Sequence, residues 1–436
     1  MNLLIRGGRV IDPANGLDAV ADVLILDGRI SRVGPALSPP GGAAVPTLEA
    51  TGRVVAPGLI DMHVHLREPG QEYKETIATG TRAAAAGGFT AIAAMANTEP
   101  VNDTRSVTDY VLAEARARGV VRVYPIGAVT RGLKGQALAE LGELAEAGCV
   151  AYSDDGRPVM HSGLLRRALE YAQAFGKPII SHADDLHLSA GGVMHEGFVS
   201  TDLGLGGIPG AAEEVMVARD IALAELTGTP VHIAHVSTAA AVRLLRDARA
   251  RGVAVTGEVT PHHLLLTDEA LRSYDANCKM APPLRGKRDV EACREALADG
   301  TLAAIATDHA PHALTDKEVE LDQAANGIVG LETAVALCLT HLVRERILDL
   351  PTLIARLTVG PARILDLPGG TLTPGAPGDV TVLDLEQGRT IEPARFQSKG
   401  RNTPFAGWAC VGAPVATVVG GLVVMLDGAI RAERLG

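Results

Sequence analysis

The chain has 436 residues, 47% of them hydrophobic but only 3% aromatic, so it can bury a large aliphatic core of the kind that a parallel sheet covered by helices needs. A formal net charge of −11 argues against a general nucleic-acid or acidic-membrane surface. The five cysteines (Cys149, Cys278, Cys293, Cys338, Cys410) are scattered and odd in number, as expected of reduced thiols, and no apolar run approaches the roughly 20 residues that span a bilayer.

The start, MNLLIRGGRVID, lacks the apolar core of a signal peptide, so the expected location is the cytoplasm. The first fifty-odd residues read as short strands (LLIRGGRVID, ADVLILDGRISRVG) punctuated by Gly and Asp turns. The end of the chain repeats the style in GDVTVLDL and ATVVGGLVVMLDG. The echo between VLILDGRI and VVMLDGAI predicts that both termini build one small β domain, entered through the Gly/Pro-rich stretch 368–379. Between them, strand and helix patterns alternate. Strands are predicted at 59–65, 89–96, 121–129, 150–155, 177–184, 231–237, 253–260 and 301–310, with Ala/Leu/Glu/Arg-rich helices filling most of the gaps. The predicted fold is α/β: a (β/α)8 TIM-type barrel over residues 56–364 and a small β domain formed by segments 1–55 and 365–436. A doubly wound sheet is the alternative, because periodicity does not show closure.

The first barrel strand ends in DMHVHLREPG. Residues two apart share a strand face, so His63, His65 and Arg67 project together. Later strand ends carry Asn97, Thr130 and Arg131, Asp154 and Asp155, His182, His235, Glu258 with His262 and His263, and Asp308 with His309 and His312. In a barrel these ends converge on one mouth. One H-x-H pair is weak, and a lone histidine is more often a core or surface residue than a ligand. The convergent set points to a metal. Imidazole and carboxylate without thiolate suit zinc, with manganese and iron as competitors, and so many ligands could hold two ions about 3.5–4 Å apart. In VAYSDDG, alternation turns only one of Asp154 and Asp155 inward, and spacing does not say which. GLGGIPG (204–210) reads as a turn, not a phosphate loop. Ser237 has no G-x-S-x-G elbow. Residues 312–327 are a lid or an ordinary loop.

The ordered series DMHVHLREPG, GGFTAIAAMANTEP, YSDDG, SHAD, HVST, EVTPHHLLLT, APPLRG, ATDHAPH and GIVGLET resembles bacterial type I dihydroorotases of the cyclic amidohydrolase superfamily, over nearly the whole chain. The resemblance implies reversible zinc-dependent hydrolysis of dihydroorotate to N-carbamoyl-L-aspartate in pyrimidine synthesis. It implies His63 and His65 on a first zinc, His182 and His235 on a second, and Asp155 as the bridge, the fourth strand having no lysine to carboxylate. One or two ions fit, two being favoured. Asp308 would touch the first metal and act as general base and acid. Arg67, Asn97 and His312 would hold the substrate carboxylate, with Asn326 and Gly327 also at the substrate. Two positions depart from the pattern: Ala281 stands where relatives commonly have Asn, and Asn326 where many have Phe. A homo-oligomer, with a dimer favoured, and a complex with aspartate transcarbamoylase are the implied assemblies; nucleic acid and membrane are not implied partners. Two other readings compete. A hydantoinase, dihydropyrimidinase or allantoinase would not need the cation Arg67. A non-catalytic scaffold for aspartate transcarbamoylase would be expected to have lost metal ligands that are all present here.

Overall fold

Eight parallel strands pair in chain order: β1 (Leu59–Val64), β2 (Phe89–Ala94), β3 (Arg122–Gly127), β4 (Ala151–Ser153), β5 (Ile179–Ser181), β6 (Val231–Ile233), β7 (Val255–Val259) and β8 (Ala304–Ile305). The ring closes beyond β8, where Val64 bridges His309 and His65 N donates to His309 O at 2.9 Å. Asp61 fastens the same seam by accepting from Thr307 N at 3.1 Å and Thr307 Oγ1 at 2.6 Å. The fold is therefore the predicted TIM-type barrel. The structure is a computed structural model and describes residues 1–42 and 44–432.

Every residue of β1 and β2 is buried. Small side chains (Ala93, Ala151, Ala304) alternate with larger ones (Met62, Ile126, Ile180) in one buried cluster drawn from most of the strands, which is how a closed barrel fills its interior. Helices such as Ser162–Gln173 and Ala239–Ala250 lay an apolar stripe on the outside, Leu165, Ala168, Leu169 and Ala172 in the first case. Thr76, Thr238 and Thr260 cap helix N-termini, the last two just past strand ends, each accepting a backbone N–H with its side chain. No helix among the described residues is long and apolar enough to cross a membrane.

The observed strands are shorter than the sequence reading at their C-terminal ends. β4 stops at Ser153 rather than 155, β5 at Ser181 rather than 184, β6 at Ile233 rather than 237 and β8 at Ile305 rather than 310. The reason is local: polar side chains take over backbone donors there. Asp154 receives Val129 N and Thr130 N, Ser153 Oγ receives Asp155 N, and Glu213 receives Ser237 N and Thr238 N.

The termini share one nine-stranded sheet. Val54–Pro57 joins its halves, running parallel to Leu3–Asp12 and antiparallel to Val380–Thr390. Both DG echoes are two-residue hairpin turns with positive φ at each position: Asp27 (51°) and Gly28 (73°), Asp427 (49°) and Gly428 (79°). That geometry matches the twist of the flanking strands and favours Asp-Gly. The sheet is tied to the barrel by Arg122, whose guanidinium donates to Asp379 at 2.6 and 3.0 Å. Segment 204–210 ends the helix Phe198–Leu203 at Gly204 and supplies Gly207–Ile208, which pairs with Met194–His195.

Candidate metal centre

The strand ends bring His63, His65, Asp155, His182, His235 and Asp308 together, all of them buried. His63 Nε2 lies 3.3 Å from Asp155 Oδ1 and 3.4 Å from Asp308 Oδ1. His65 Nε2 lies 3.4 Å from Asp155 Oδ2 and 3.0 Å from Asp308 Oδ1. On the other side, His182 Nδ1 and His235 Nε2 are 2.9 Å apart, and each is 3.4 Å from Asp155 Oδ1. His182 thus turns its Nδ1 to the cluster where the other three histidines turn Nε2. Two overlapping groups result, one of His63, His65 and Asp308 and one of His63, His235 and Asp155.

The cluster is suited to a cation. His63 Nε2 is fully buried and has no hydrogen-bond partner, so a Lewis acid there would satisfy an orphaned ring nitrogen. Burial works against the ionised form of Asp155, yet His63, His182 and His235 around it hold its carboxyl well below the usual range. Asp308 is likewise buried and held low by His63 and His65. The counterpart is His63: burial lowers it, but Asp155 and Asp308 raise it well above the ordinary imidazole value. The donor set is imidazole and carboxylate without thiolate, and its two groups share His63.

Asp154 and Asp155 separate cleanly. Asp154 accepts from Val129 N, Thr130 N and the Thr130 hydroxyl, which locks the loop after β3 and keeps its carboxylate away from the histidines. Of the two, only Asp155 faces the cluster.

Arg67 reaches the mouth by a different route from the one strand alternation suggests. β1 ends at Val64, and Arg67 sits in a left-handed turn with φ 60°. It is 8% exposed, and its Nε donates to Pro311 O at 3.3 Å. Burial lowers its pKa while Asp308 and Asp155 oppose the shift, and among the described residues no ion pair holds its guanidinium. His235 (φ 32°) and Asp308 (φ 45°) also have positive φ, so three candidate site residues stand on strained backbone.

Asn97 is half-buried and accepts from His65 Nδ1 through Oδ1 at 2.8 Å. His312 donates Nε2–H to Asn326 O at 2.9 Å. Burial, with Arg67 and Lys74 nearby, pushes its pKa down to about 3. Asn326 is exposed and serves His312 with its backbone carbonyl, so that contact does not depend on the side chain. Gly327 N donates to Lys279 O at 3.0 Å, and Lys317 Nζ donates to Ala325 O at 2.7 Å, which fastens the 312–327 loop to Lys279 and to itself. Ala281 is half-buried beside Pro282, whose carbonyl His263 Nε2 contacts at 3.0 Å.

Four structural partners carry no role in the sequence reading. Glu258 Oε1 is 2.8 Å from His63 Nδ1. Glu75 holds Ser398 and lies 3.4 Å from His309 Nε2. Asp61 closes the seam. Asn402, from the connection between the last long strands, accepts from His312 N at 3.0 Å and donates to Ala310 O and Gly327 O at 2.9 and 3.0 Å. Glu258 was visible at a strand end; Asn402 is 90 positions from His312 and has no local signature.

Comparison with known proteins gives a consistent pattern. A family model described as Dihydro-orotase-like matches residues 52–241, and one described as Amidohydrolase family matches residues 210–425. The chain is 60% identical over 434 residues to a protein of Anaeromyxobacter dehalogenans (strain 2CP-C) named "Dihydroorotase", covering 99% of each chain. It is 58% identical over 431 residues to a "Dihydroorotase" of Pelotomaculum thermopropionicum, covering 99% of this chain and 100% of the other. Among solved structures, it resembles an L-hydantoinase (dihydropyrimidinase) from Arthrobacter aurescens, with a TM-score of 0.90, 26% identity and coverage of 99% and 98%. A dihydropyrimidinase from Brevibacillus agri follows with a TM-score of 0.86, 25% identity and coverage of 99% and 96%.

Proposed function

The chain belongs to the dihydroorotase family, and on that footing we propose that it opens the ring of dihydroorotate to N-carbamoyl-L-aspartate, and closes it in the reverse direction, with zinc in the histidine–aspartate cluster. It is a hydrolase acting on a cyclic amide. The observation that carries the choice of substrate is Arg67: a buried guanidinium beside the cluster, with no carboxylate paired to it among the described residues, is matched by an anionic ring. Dihydrouracil and hydantoin lack that carboxylate. The hydantoinase likeness at 26% identity reports the shared barrel, whereas the dihydroorotase likeness stands at 60%.

His63, His65, Asp155, His182, His235 and Asp308 would hold two zinc ions, Asp155 lying between the two halves of the set. Zinc there supplies Lewis-acid polarisation of the amide carbonyl and an acidified water. Arg67 fixes the ring through its carboxylate, and Asn97, His312, Asn326 and Gly327 complete that side of the pocket. Asp308, ionised in the resting site, accepts the proton released as water attacks, and then delivers a proton to the ring nitrogen as the carbon–nitrogen bond breaks. Ring closure uses the same groups in the opposite order. The proposal extends to a cytoplasmic homo-oligomer; the all-buried, unpaired cysteines support the reducing compartment.

The test is ultraviolet loss of dihydroorotate with purified protein, beside dihydrouracil as control. Turnover of dihydroorotate alone supports the reading. Equal turnover of both, or turnover of dihydrouracil only, contradicts it.

A further inference from the structure

Glu258 is fully buried at the end of β7, between two histidines from different strands. Its Oε1 is 2.8 Å from His63 Nδ1, and its Oε2 is 3.2 Å from His232 Nε2. His232 in turn places Nδ1 2.8 Å from Thr256 Oγ1. Polar groups therefore lie in line from Thr256 through His232 and Glu258 to His63, across β7, β6 and β1, with His232 Nε2 and Glu258 Oε2 in close approach but not hydrogen-bonded. A carboxylate on Nδ1 fixes the ring for a metal: with Nδ1–H donated to Glu258, Nε2, which faces Asp155 and Asp308, is the nitrogen left to bind a cation. His65 receives only the neutral carbonyl of Asn97 on its Nδ1. The negative charge is thus given to the one histidine common to both halves of the cluster.

We propose that Glu258, through its hydrogen bond to Nδ1, is a positioning residue that sets the tautomer and donor strength of His63 for metal. The proposal rests on the reading of the cluster as a metal centre. It assigns Glu258 no contact with substrate.

The experiment titrates zinc into metal-free wild type, Glu258→Gln and Glu258→Ala against a chromophoric chelator, with circular dichroism and thermal unfolding of the metal-free forms as the check on folding. Gln retains the shape: its carbonyl accepts from His63 and its amide donates to His232 in the other tautomer, but the charge is gone. Removing the carboxylate in Glu258→Ala is expected to weaken zinc binding about 10–100-fold, with Glu258→Gln intermediate. Where the alanine variant does not fold, the glutamine variant decides, and a measurably weaker zinc affinity in it supports the proposal. Zinc affinity within about twofold of wild type in every folded variant overturns the positioning role, since the outer carboxylate would then fall short of the usual effect. Wild type that binds no zinc overturns the metal reading itself, which is a separate and distinguishable failure.

Discussion

Asp154 and Asp155 are adjacent in the chain and serve opposite purposes: Asp154 takes the backbone N–H groups of Val129 and Thr130 at 2.8 and 2.9 Å, while Asp155 Oδ1 stands 3.3 Å from His63 Nε2. Replacing each with alanine should separate metal binding from folding. Asp155→Ala is expected to lose bound zinc and turnover with little change in the fold. Asp154→Ala strands two buried backbone donors and the Thr130 hydroxyl, and is expected to lower stability by about 1–3 kcal/mol while retaining zinc. Metal analysis with denaturant unfolding of both variants is the check. A metal-poor Asp154→Ala beside a normal Asp155→Ala reverses the assignment.

Asp308→Asn keeps the size and one acceptor but has no proton to shuttle. Turnover of dihydroorotate is expected to fall about 10²–10⁴-fold, the usual range for a general acid–base group, with substrate binding largely retained. Metal affinity is expected to fall as well, because Asp308 Oδ1 lies 3.0 Å from His65 Nε2. Steady-state kinetics at saturating zinc measure the first effect, and activity within about threefold of wild type would remove the role.

Arg67→Met is expected to raise KM for dihydroorotate strongly and leave bound zinc in place, because the guanidinium touches Pro311 O and none of the clustered histidines. Arg67→Lys should recover part of the loss, since an ammonium does not reproduce the planar two-point grip on a carboxylate. Unchanged kinetics in Arg67→Met would remove the main argument for an anionic ring.

Asn402→Ala deletes one acceptor and two donors that hold His312 N, Ala310 O and Gly327 O in one place. The expected effect is a higher KM for dihydroorotate with zinc content unchanged, because the loop it braces carries His312 and Gly327, which are proposed to face the substrate. Asn402→Asp keeps the acceptor for His312 N and loses both donors, so it should fall between. Loss of zinc in either variant would show that the brace acts on the cluster instead.

Much of this was legible because the barrel concentrates its chemistry at strand ends. His63, His65, Asp155, His182, His235 and Asp308 each terminate a β-like run, and the motif resemblance named all of them. The Asp-Gly turns at 27–28 and 427–428 were legible for a different reason, since that dipeptide adopts two positive φ values readily. Periodicity predicts strands longer than those observed, as at β8, because it carries no sign that side chains such as Asp61 take the backbone donors. Arg67 lies near the cluster, as alternation predicts, but on a left-handed backbone, a tertiary consequence that alternation does not encode. Asn402 and Glu75 act across hundreds of residues or on loops without a pattern, and only the folded chain brings them to the mouth.

The measurement that bears most directly on the whole account is dihydroorotate turnover during zinc titration of metal-free protein, followed in the ultraviolet with bound metal counted at each step. The account predicts no turnover without metal, recovery as zinc fills the cluster, and a plateau near two ions per chain. Full turnover in protein shown to be free of metal would contradict it.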